Sequence, residues 1–305
     1  MSNDHYVPQH YLRAWANDLE QNKLFSYKLI EHQSKVHFKK DGSVKTSSSQ
    51  KNLYQISDGQ AFAEFETTLM TPEVDTPGSA IIKKVRSCGL GSLTAPERFQ
   101  LASYIVILEA RHPDTIRKMD ISEDDLQRIF KEIDGSNGTS RQAMDDVKSF
   151  MLSIRPSLGT AASGMFAGWG HGQEAQALLS KGWIEIARTD KQGFFCSNYP
   201  VGSFEDYAAP NAAFTFPLSP SRALWCVPLE VKLKLEALNE TKRKVAMDEA
   251  CKMVDIFTLG KATEAYSLVA DPNPFIQQHL GWMRRINSRQ WSTYFKLMME
   301  DSSYG

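Results

Sequence analysis

The spacing of apolar residues changes several times along the chain. Within residues 23–30, the apolar residues Phe25, Tyr27 and Leu29 alternate with Leu24, Ser26 and Lys28. This period of two predicts a half-buried strand, with residues 36–38 as its hairpin partner. From residue 61, apolar residues recur every three or four positions, which predicts a series of helices that includes 122–134 and 140–154. At residue 182 the period returns to two, and four short strands are predicted. Strands 183–188 and 193–197 are expected to pair through the turn at 189–192, and strands 213–217 and 223–228 to pair around 219–221. Helical spacing then returns in three segments: 241–254, 263–270 and 275–299.

The clearest of these helices begins at Thr94. A threonine with a glutamate three residues later, here Glu97, is a capping-box pattern in which the two side chains satisfy backbone N–H groups at the helix start. An apolar stripe follows at the spacing of one helix face: Leu101, Tyr104, Ile105 and Leu108. Because Pro113 interrupts this pattern, the helix is expected to end near Arg111 and His112.

Helical and strand-like segments are segregated along the chain, an order that favours an α+β fold over an α/β fold. We therefore predict a single α+β domain over residues 1–305, with a mainly helical body and a small antiparallel β section. The predicted parts are a helical body at about 61–180 and 241–299, a β section at about 183–228, and an N-terminal segment at 1–56 that packs on them.

Composition and charge are those of an ordinary globular protein. Hydrophobic residues make up 42% and charged residues 23% of the chain, which excludes collagenous, low-complexity and wholly disordered proteins. Lys and Arg number 35 against 36 Asp and Glu, a formal net charge of −1. The overall field that steers proteins to DNA or to anionic membranes is therefore absent.

Several features predict a cytoplasmic protein with no membrane partner. The sequence has no apolar run of about 18 residues, and its first residues lack the basic and apolar regions of a signal peptide. The four cysteines are far apart and form no Cys-x-x-Cys pair, which excludes zinc ribbons and thioredoxin-type motifs. Dispersed cysteines of this kind are typical of a reduced compartment.

The familiar catalytic signatures are missing, among them the phosphate-binding loop, HExxH and GxSxG. The densest polar cluster in an apolar setting is instead N-terminal, where Gln9 and Arg13 lie one helical turn apart and His5 precedes them. His5 suits a general base or a metal ligand, because an imidazole titrates near neutral pH. The alternative is that His5 and Gln9 tether a terminal segment to the domain.

Two further sets of polar residues could join this cluster. Glu66 and Glu73 would supply the paired carboxylates that a divalent metal needs, although Glu73 could instead stabilise a helix N-terminus. Arg111 beside His112 suits phosphate or carboxylate binding, although an arginine there could also cap the last carbonyls of its helix.

These motifs together resemble a bacterial family, the domain of unknown function 4238. Its members open with His-Tyr-Val-Pro-Gln, which is residues 5–9 here, followed by an aromatic residue, Leu-Arg and a second aromatic residue, which are Tyr11, Leu12, Arg13 and Trp15. Further matches follow in the family's order: residues 52–54, Glu66, Glu73, Arg111, Pro113, Trp183, 197–200 and 217–220. The resemblance implies the α+β class and this set of polar residues, but no reaction.

Two positions depart from the family pattern. Asn198 stands where relatives carry Asp, which removes a carboxylate. If that Asp binds a metal or acts as an acid in relatives, the resemblance implies altered or lost chemistry in this protein. His10 stands where an aromatic residue is usual.

Two functions follow as hypotheses. The first is a metal-dependent phosphodiester hydrolase or nuclease of a bacterial conflict or defence system, acting on DNA or RNA. Its catalytic residues would be His5, Gln9, Arg13 and Arg111, and Glu66 and Glu73 would bind Mg²⁺ or Mn²⁺. The second is a non-catalytic binding or sensing module, with a protein partner, in which the same polar residues form a structural network.

Overall fold

The computed structural model describes residues 3–18, 20, 22–30, 35–51, 53, 66–119, 128, 171–204 and 207–268. About half of these residues are helical and about a quarter lie in strands. The predicted helices at 140–154 and 275–299 lie outside the described residues, as does the predicted helix at 122–134 except for Arg128, which is helical. The division of the chain into one domain stays a prediction.

Seven α-helices are found in the described residues: α1 (Gln9–Leu12), α2 (Thr76–Cys88), α3 (Ala95–Ala110), α4 (Pro113–Met119), α5 (His171–Leu179), α6 (Leu229–Ala237) and α7 (Glu240–Gly260). A π-helix (Glu66–Asp75) leads directly into α2, and 3₁₀ turns occur at Arg13–Trp15 and Leu90–Ser92. Among the described residues, no helix combines the length and the apolar composition that a membrane span needs.

The strands are β1 (Asn3–His5), β2 (Ala16–Asp18), β3 (Lys23–Ile30), β4 (Lys35–Ser43), β5 (Ser49–Lys51), β6 (Gly182–Ala187), β7 (Cys196–Ser197), β8 (Gly202–Phe204), β9 (Ala213–Ser219), β10 (Arg222–Val227) and β11 (Glu264–Ser267). They form three antiparallel sheets. β1 pairs with β5, and a second sheet has the order β2-β3-β11-β7, with β4 also paired to β3. The third sheet has the order β6-β10-β9-β8.

The prediction of a mainly helical body with a small β section is wrong. Strands extend from Asn3 to Ser267 and build three sheets, instead of one section at 183–228. Residues 263–270 were expected to be helical, yet β11 lies between β3 and β7 in the second sheet. A strand of four residues is too short to show a clear period, and pairing with distant strands decides its conformation.

The predicted pairing of 183–188 with 193–197 is also wrong. β6 pairs with β10, whereas β7 is only two residues long and pairs with β11 in a different sheet. Asp190 Oδ1 accepts hydrogen bonds from the N–H groups of Gln192 and Gly193, an Asx turn in the loop that joins the two strands.

Other local predictions are confirmed. Residues 23–30 form β3, and β4 is its hairpin partner. Thr94 and Glu97 form the complete capping box at the start of α3, with the Thr94 N–H donating to Glu97 Oε2 at 2.8 Å. These two features depend on neighbouring residues, so the local sequence is enough to specify them.

The N-terminal segment is fastened into the core by its aromatic residues. Tyr11, Leu12 and Trp15 are fully buried. The Tyr11 hydroxyl donates to the carbonyl of Pro217, and the Trp15 indole N–H donates to the carbonyl of Phe194 at 2.7 Å. The aromatic part of the opening motif is therefore structural, and it fixes where the polar part of the motif lies.

Candidate functional site

An open cavity of about 450 Å³ lies where the N-terminal segment meets the π-helix and the first half of α2. We call this cavity the cleft. Its polar side chains come from these three segments: His5, Gln9, His10, Thr71, Asp75, Thr76, Ser79 and Lys83. The sequence prediction that His5 and Gln9 share a site is compatible with this arrangement, and α2 supplies residues that no sequence motif indicated.

His5 is held by the loop that precedes β5. Its Nε2 lies 3.0 Å from the carbonyl oxygen of Lys45, and an imidazole can only donate to a carbonyl. The proton therefore lies on Nε2, and Nδ1 carries the lone pair of the neutral ring. Gln9 Nε2 lies 3.4 Å from the same Nε2, but both atoms are donors in this tautomer, so the hydrogen bond of this ring nitrogen is the one to Lys45. Burial lowers the pKa of His5, so the ring is neutral near pH 7.

His10 faces the cleft from the next turn of the chain. Its Nε2 lies 3.1 Å from the Tyr104 hydroxyl on α3. Burial, and then the positive charges of three arginines, lower the pKa of His10 to about 4. These arginines are Arg111, Arg86 and Arg13. Gly78 allows this contact, because a Cβ there would stand only 2.1 Å from the Tyr104 ring.

Arg111 lies behind the cleft and does not line it. Its side chain is 1% exposed. Nε donates to the carbonyl of Tyr6 at 2.7 Å, and Nη1 donates to Asp75 Oδ1 at 3.0 Å. Asp75 does line the cleft, so this ion pair joins the N-terminal segment to the end of the π-helix. The hypothesis that Arg111 contacts phosphate directly is less suited to this position than a role in holding the cleft together.

The remaining predicted site residues are less directly connected to the cleft. Arg13 and Glu73 are exposed, and neither lines the cavity. Glu66 begins the π-helix, and its side chain lies outside the described part of the structure. Within the residues described, no group of three or more His, Cys, Asp or Glu side chains is placed to hold a metal ion. The Mg²⁺ or Mn²⁺ site therefore stays a prediction.

One protein family is similar to this chain over nearly its whole length, including the opening motif. The model of a family described as "Protein of unknown function (DUF4238)" matches residues 3–293. The chain belongs to the DUF4238 family. No curated protein and no solved structure matches it.

The resemblance to the DUF4238 family implies an Asp at the position where this chain has Asn198. Asn198 is buried, and its Oδ1 accepts from the N–H groups of Thr263 and Glu264, both at 3.0 Å. Its Nδ2 donates to the Thr263 hydroxyl at 2.9 Å. An aspartate could accept the same two backbone bonds and a third from the hydroxyl. Asn198 does not line the cleft, so its replacement of Asp preserves a structural contact between β7 and β11.

A buried aromatic cluster lies next to Arg111. The His112 ring stacks on Tyr199 with centroids 3.5 Å apart and meets the edge of Tyr6 at 5.0 Å. The Tyr199 hydroxyl donates to Asp114. Tyr6, whose carbonyl accepts a hydrogen bond from Arg111, belongs to this cluster. The cluster therefore packs against the N-terminal segment. The sequence pairing of Arg111 with His112 therefore indicated a structural junction.

Proposed function

We propose that this protein is a binding or sensing module whose cleft takes up a phosphoryl group of its ligand. The observation that carries the proposal is that Lys83 lines the cleft beside the hydroxyl groups of Thr76 and Ser79. An ammonium group and hydroxyl donors favour a phosphoryl oxygen as their partner.

The arrangement of α2 supports an anionic ligand. Thr76 and Ser79 line the cleft from the first turn of α2, and their hydroxyl groups can donate to phosphate oxygens. Lys83 lines the cleft one turn further along. Among the residues that the structure describes, none forms an ion pair with Lys83, so its charge is available to a ligand.

The position of Asp75 is compatible with an anion as well. A free carboxylate in the cleft would repel phosphate, but Arg111 neutralises Asp75 from behind. The same ion pair binds the carbonyl of Tyr6 and holds the N-terminal segment in place. Polar residues that were candidates for catalysis thus form a structural network around a binding cavity, which favours a binding role.

The test is calorimetric titration of the full-length protein with inorganic phosphate, comparing Lys83→Met with Lys84→Met. Lys84 is the next residue on α2, and it is paired with Glu97 at 2.7 Å outside the cleft. We expect Lys83→Met to weaken binding by about tenfold, the loss of one charge-assisted contact, and Lys84→Met to bind as the wild type does. Absence of phosphate binding by the folded wild type, or equal losses in both variants, would contradict the proposal.

Hydrolysis of a phosphodiester is the second candidate, and the state of His5 favours it. With the proton on Nε2, the neutral ring has its lone pair on Nδ1, as a general base requires. The substrate would be DNA or RNA, in the bacterial cytoplasm, and a role in conflict or defence belongs to this second proposal. Cleavage assays with and without Mg²⁺ or Mn²⁺, comparing wild type with His5→Ala, test it. Cleavage that survives His5→Ala would exclude His5 as the base.

A further inference from the structure

A second cavity, of about 400 Å³, lies among β6, α6, α7 and the Leu90–Ser92 turn. It shares no lining residue with the cleft. Three apolar side chains form part of its wall: Trp183, Leu235 and Met247. Arg98, from the first half of α3, completes the wall beside Trp183. The cavity therefore combines an apolar lining with a guanidinium group.

The walls of this cavity are fixed in place by close contacts. α6 approaches β6 so closely that a Cβ at Gly182 would stand 2.5 Å from the Cβ of Lys232. The Leu90 N–H donates to Glu185 Oε2 at 2.7 Å and holds the 3₁₀ turn against β6. Gly89, with a φ of 81°, lets the chain enter this turn. The cavity is thus formed in advance, as is usual for sites that bind small molecules.

Arg98 and Trp183 form the recognition surface within the cavity. The Arg98 guanidinium lies over the Trp183 ring, 5.1 Å from its centroid. A guanidinium group is planar, and at its edge a carboxylate can accept two parallel hydrogen bonds. Trp183 and Leu235, which are 6% and 7% exposed, form the buried apolar base of the cavity.

The other charged groups of the cavity already have partners. Glu185 pairs with Arg222, and Glu236 pairs with Lys232 at 3.6 Å. Arg243 donates to the carbonyls of Glu236 and Leu238 at the end of α6. Within the described residues, no carboxylate pairs with Arg98 or Arg243, so two guanidinium charges lack a carboxylate partner. Arg243 Nη2 is held by the two carbonyls, which leaves the Arg98 guanidinium to meet a ligand.

We propose that this cavity binds a small aromatic carboxylate, with its ring among Trp183, Leu235 and Met247 and its carboxylate on Arg98. A planar carboxylate fits the two parallel donors that a guanidinium edge offers, and an aromatic ring fits the apolar part of the wall. The cleft shares no lining residue with this cavity, so this site is independent of the proposed function of the cleft.

Calorimetric titration of the full-length protein with naphthoate tests this site, with naphthol as its uncharged analogue. We expect saturable binding of one naphthoate per chain, and affinity for naphthol lower by about tenfold to a hundredfold, since the Arg98 contact is then lost. Equal affinity for the two compounds, or no binding of naphthoate, would overturn the proposal. This comparison needs no variant, so it holds even if a substitution disturbs folding.

Two variants locate the binding. Arg98→Met keeps the length of the side chain and removes its charge, and it should weaken naphthoate binding as much as the loss of the carboxylate does. Lys83→Met, in the cleft, should leave naphthoate binding unchanged. Naphthoate affinity that is unchanged in folded Arg98→Met, or reduced in Lys83→Met, would place the bound molecule elsewhere and refute the site.

Discussion

Two buried arginine–aspartate pairs in this protein have opposite arrangements. In the Arg111–Asp75 pair the arginine is 1% exposed and the aspartate, 16% exposed, reaches the cleft. In the Arg188–Asp255 pair the aspartate is 2% exposed, and it also accepts the N–H of Phe195 at 3.1 Å. The second pair fastens the loop after β6 to α7, and burial raises the pKa of the Asp255 carboxyl to about 6.

The difference shows that a buried arginine–aspartate pair can either contribute to the wall of a cavity or hold a closed core together. Arg188 extends the second pair toward solvent, through Asp190 at 2.6 Å. Arg111 extends the first pair inward, to the backbone of Tyr6, and leaves the carboxylate at the cavity wall. Loss of either pair should destabilise the fold, but only loss of the first should alter what the cleft binds.

The largest effect is expected from Arg111→Met. This variant leaves Asp75 without its guanidinium partner and removes the donor to Tyr6, which should lower the free energy of unfolding by about 3–5 kcal/mol. Urea unfolding at pH 7 measures this loss, and phosphate affinity of the folded fraction should fall too. Arg13→Met is the control, since Arg13 is exposed and its loss should change stability by no more than about 0.5 kcal/mol. Equal stability of both variants would refute the structural role of Arg111.

A smaller loss, about 2–3 kcal/mol at pH 7, is expected from Arg188→Met, because Arg188 is more exposed than Arg111. The loss should shrink in acid. The pKa of the Asp255 carboxyl is about 6 in the folded protein and 3.8 in the unfolded chain, so its protonated form favours the fold. This contribution to stability is complete below pH 3.8 and disappears as the pH rises through about 6.

Urea unfolding of wild type and Arg188→Met between pH 4 and pH 7 measures this dependence, within the window that the two pKa values define. Phosphate affinity should stay at the wild-type level throughout, in contrast to Arg111→Met. A stability loss that grows in acid, or weaker phosphate binding, would contradict the contrast between the two pairs.

The smallest stability effect at pH 7 is expected from His10→Gln. The folded pKa of His10, about 4, lies below the unfolded value of 6.5, so the unfolded chain binds more protons in this range. Stability that this group contributes is therefore present above pH 6.5 and lost as the pH falls through about 4, about 3 kcal/mol in all. The difference in unfolding free energy between wild type and variant, followed from pH 7 to pH 4, should show the wild type losing more. Parallel pH profiles would show that His10 titrates normally.

Local features of the fold were predictable from the sequence. The capping box at Thr94 and the strand at 23–30 depend on residues that are near each other in the chain. β11 was mistaken for a helix because its partners, β3 and β7, are far away in sequence. The spacing of apolar residues does not indicate which distant strand pairs with residues 264–267. The extent of the sheets could therefore not be deduced from the sequence.

The candidate site was predictable only where its residues are near each other in the chain. His5 and Gln9 were indicated by an unusual cluster of polar residues, and both line the cleft. Ser79 and Lys83 were missed because, on an isolated helix pattern, they look like ordinary surface positions. His10 had a signal, its departure from the aromatic residue of relatives, but only the approach of Tyr104 through Gly78 shows what surrounds it.

The anchoring of Tyr11 has a consequence for synthesis of the protein. Its hydroxyl binds the carbonyl of Pro217, which is 206 residues later in the chain. At a translation rate of about 5–20 residues per second, the ribosome needs roughly 10–40 s to produce that partner. During this time Tyr11 and Trp15 have no completed core to enter, and their apolar surfaces are open to chaperones or to other nascent chains. The first aromatic residues made are thus among the last to be buried.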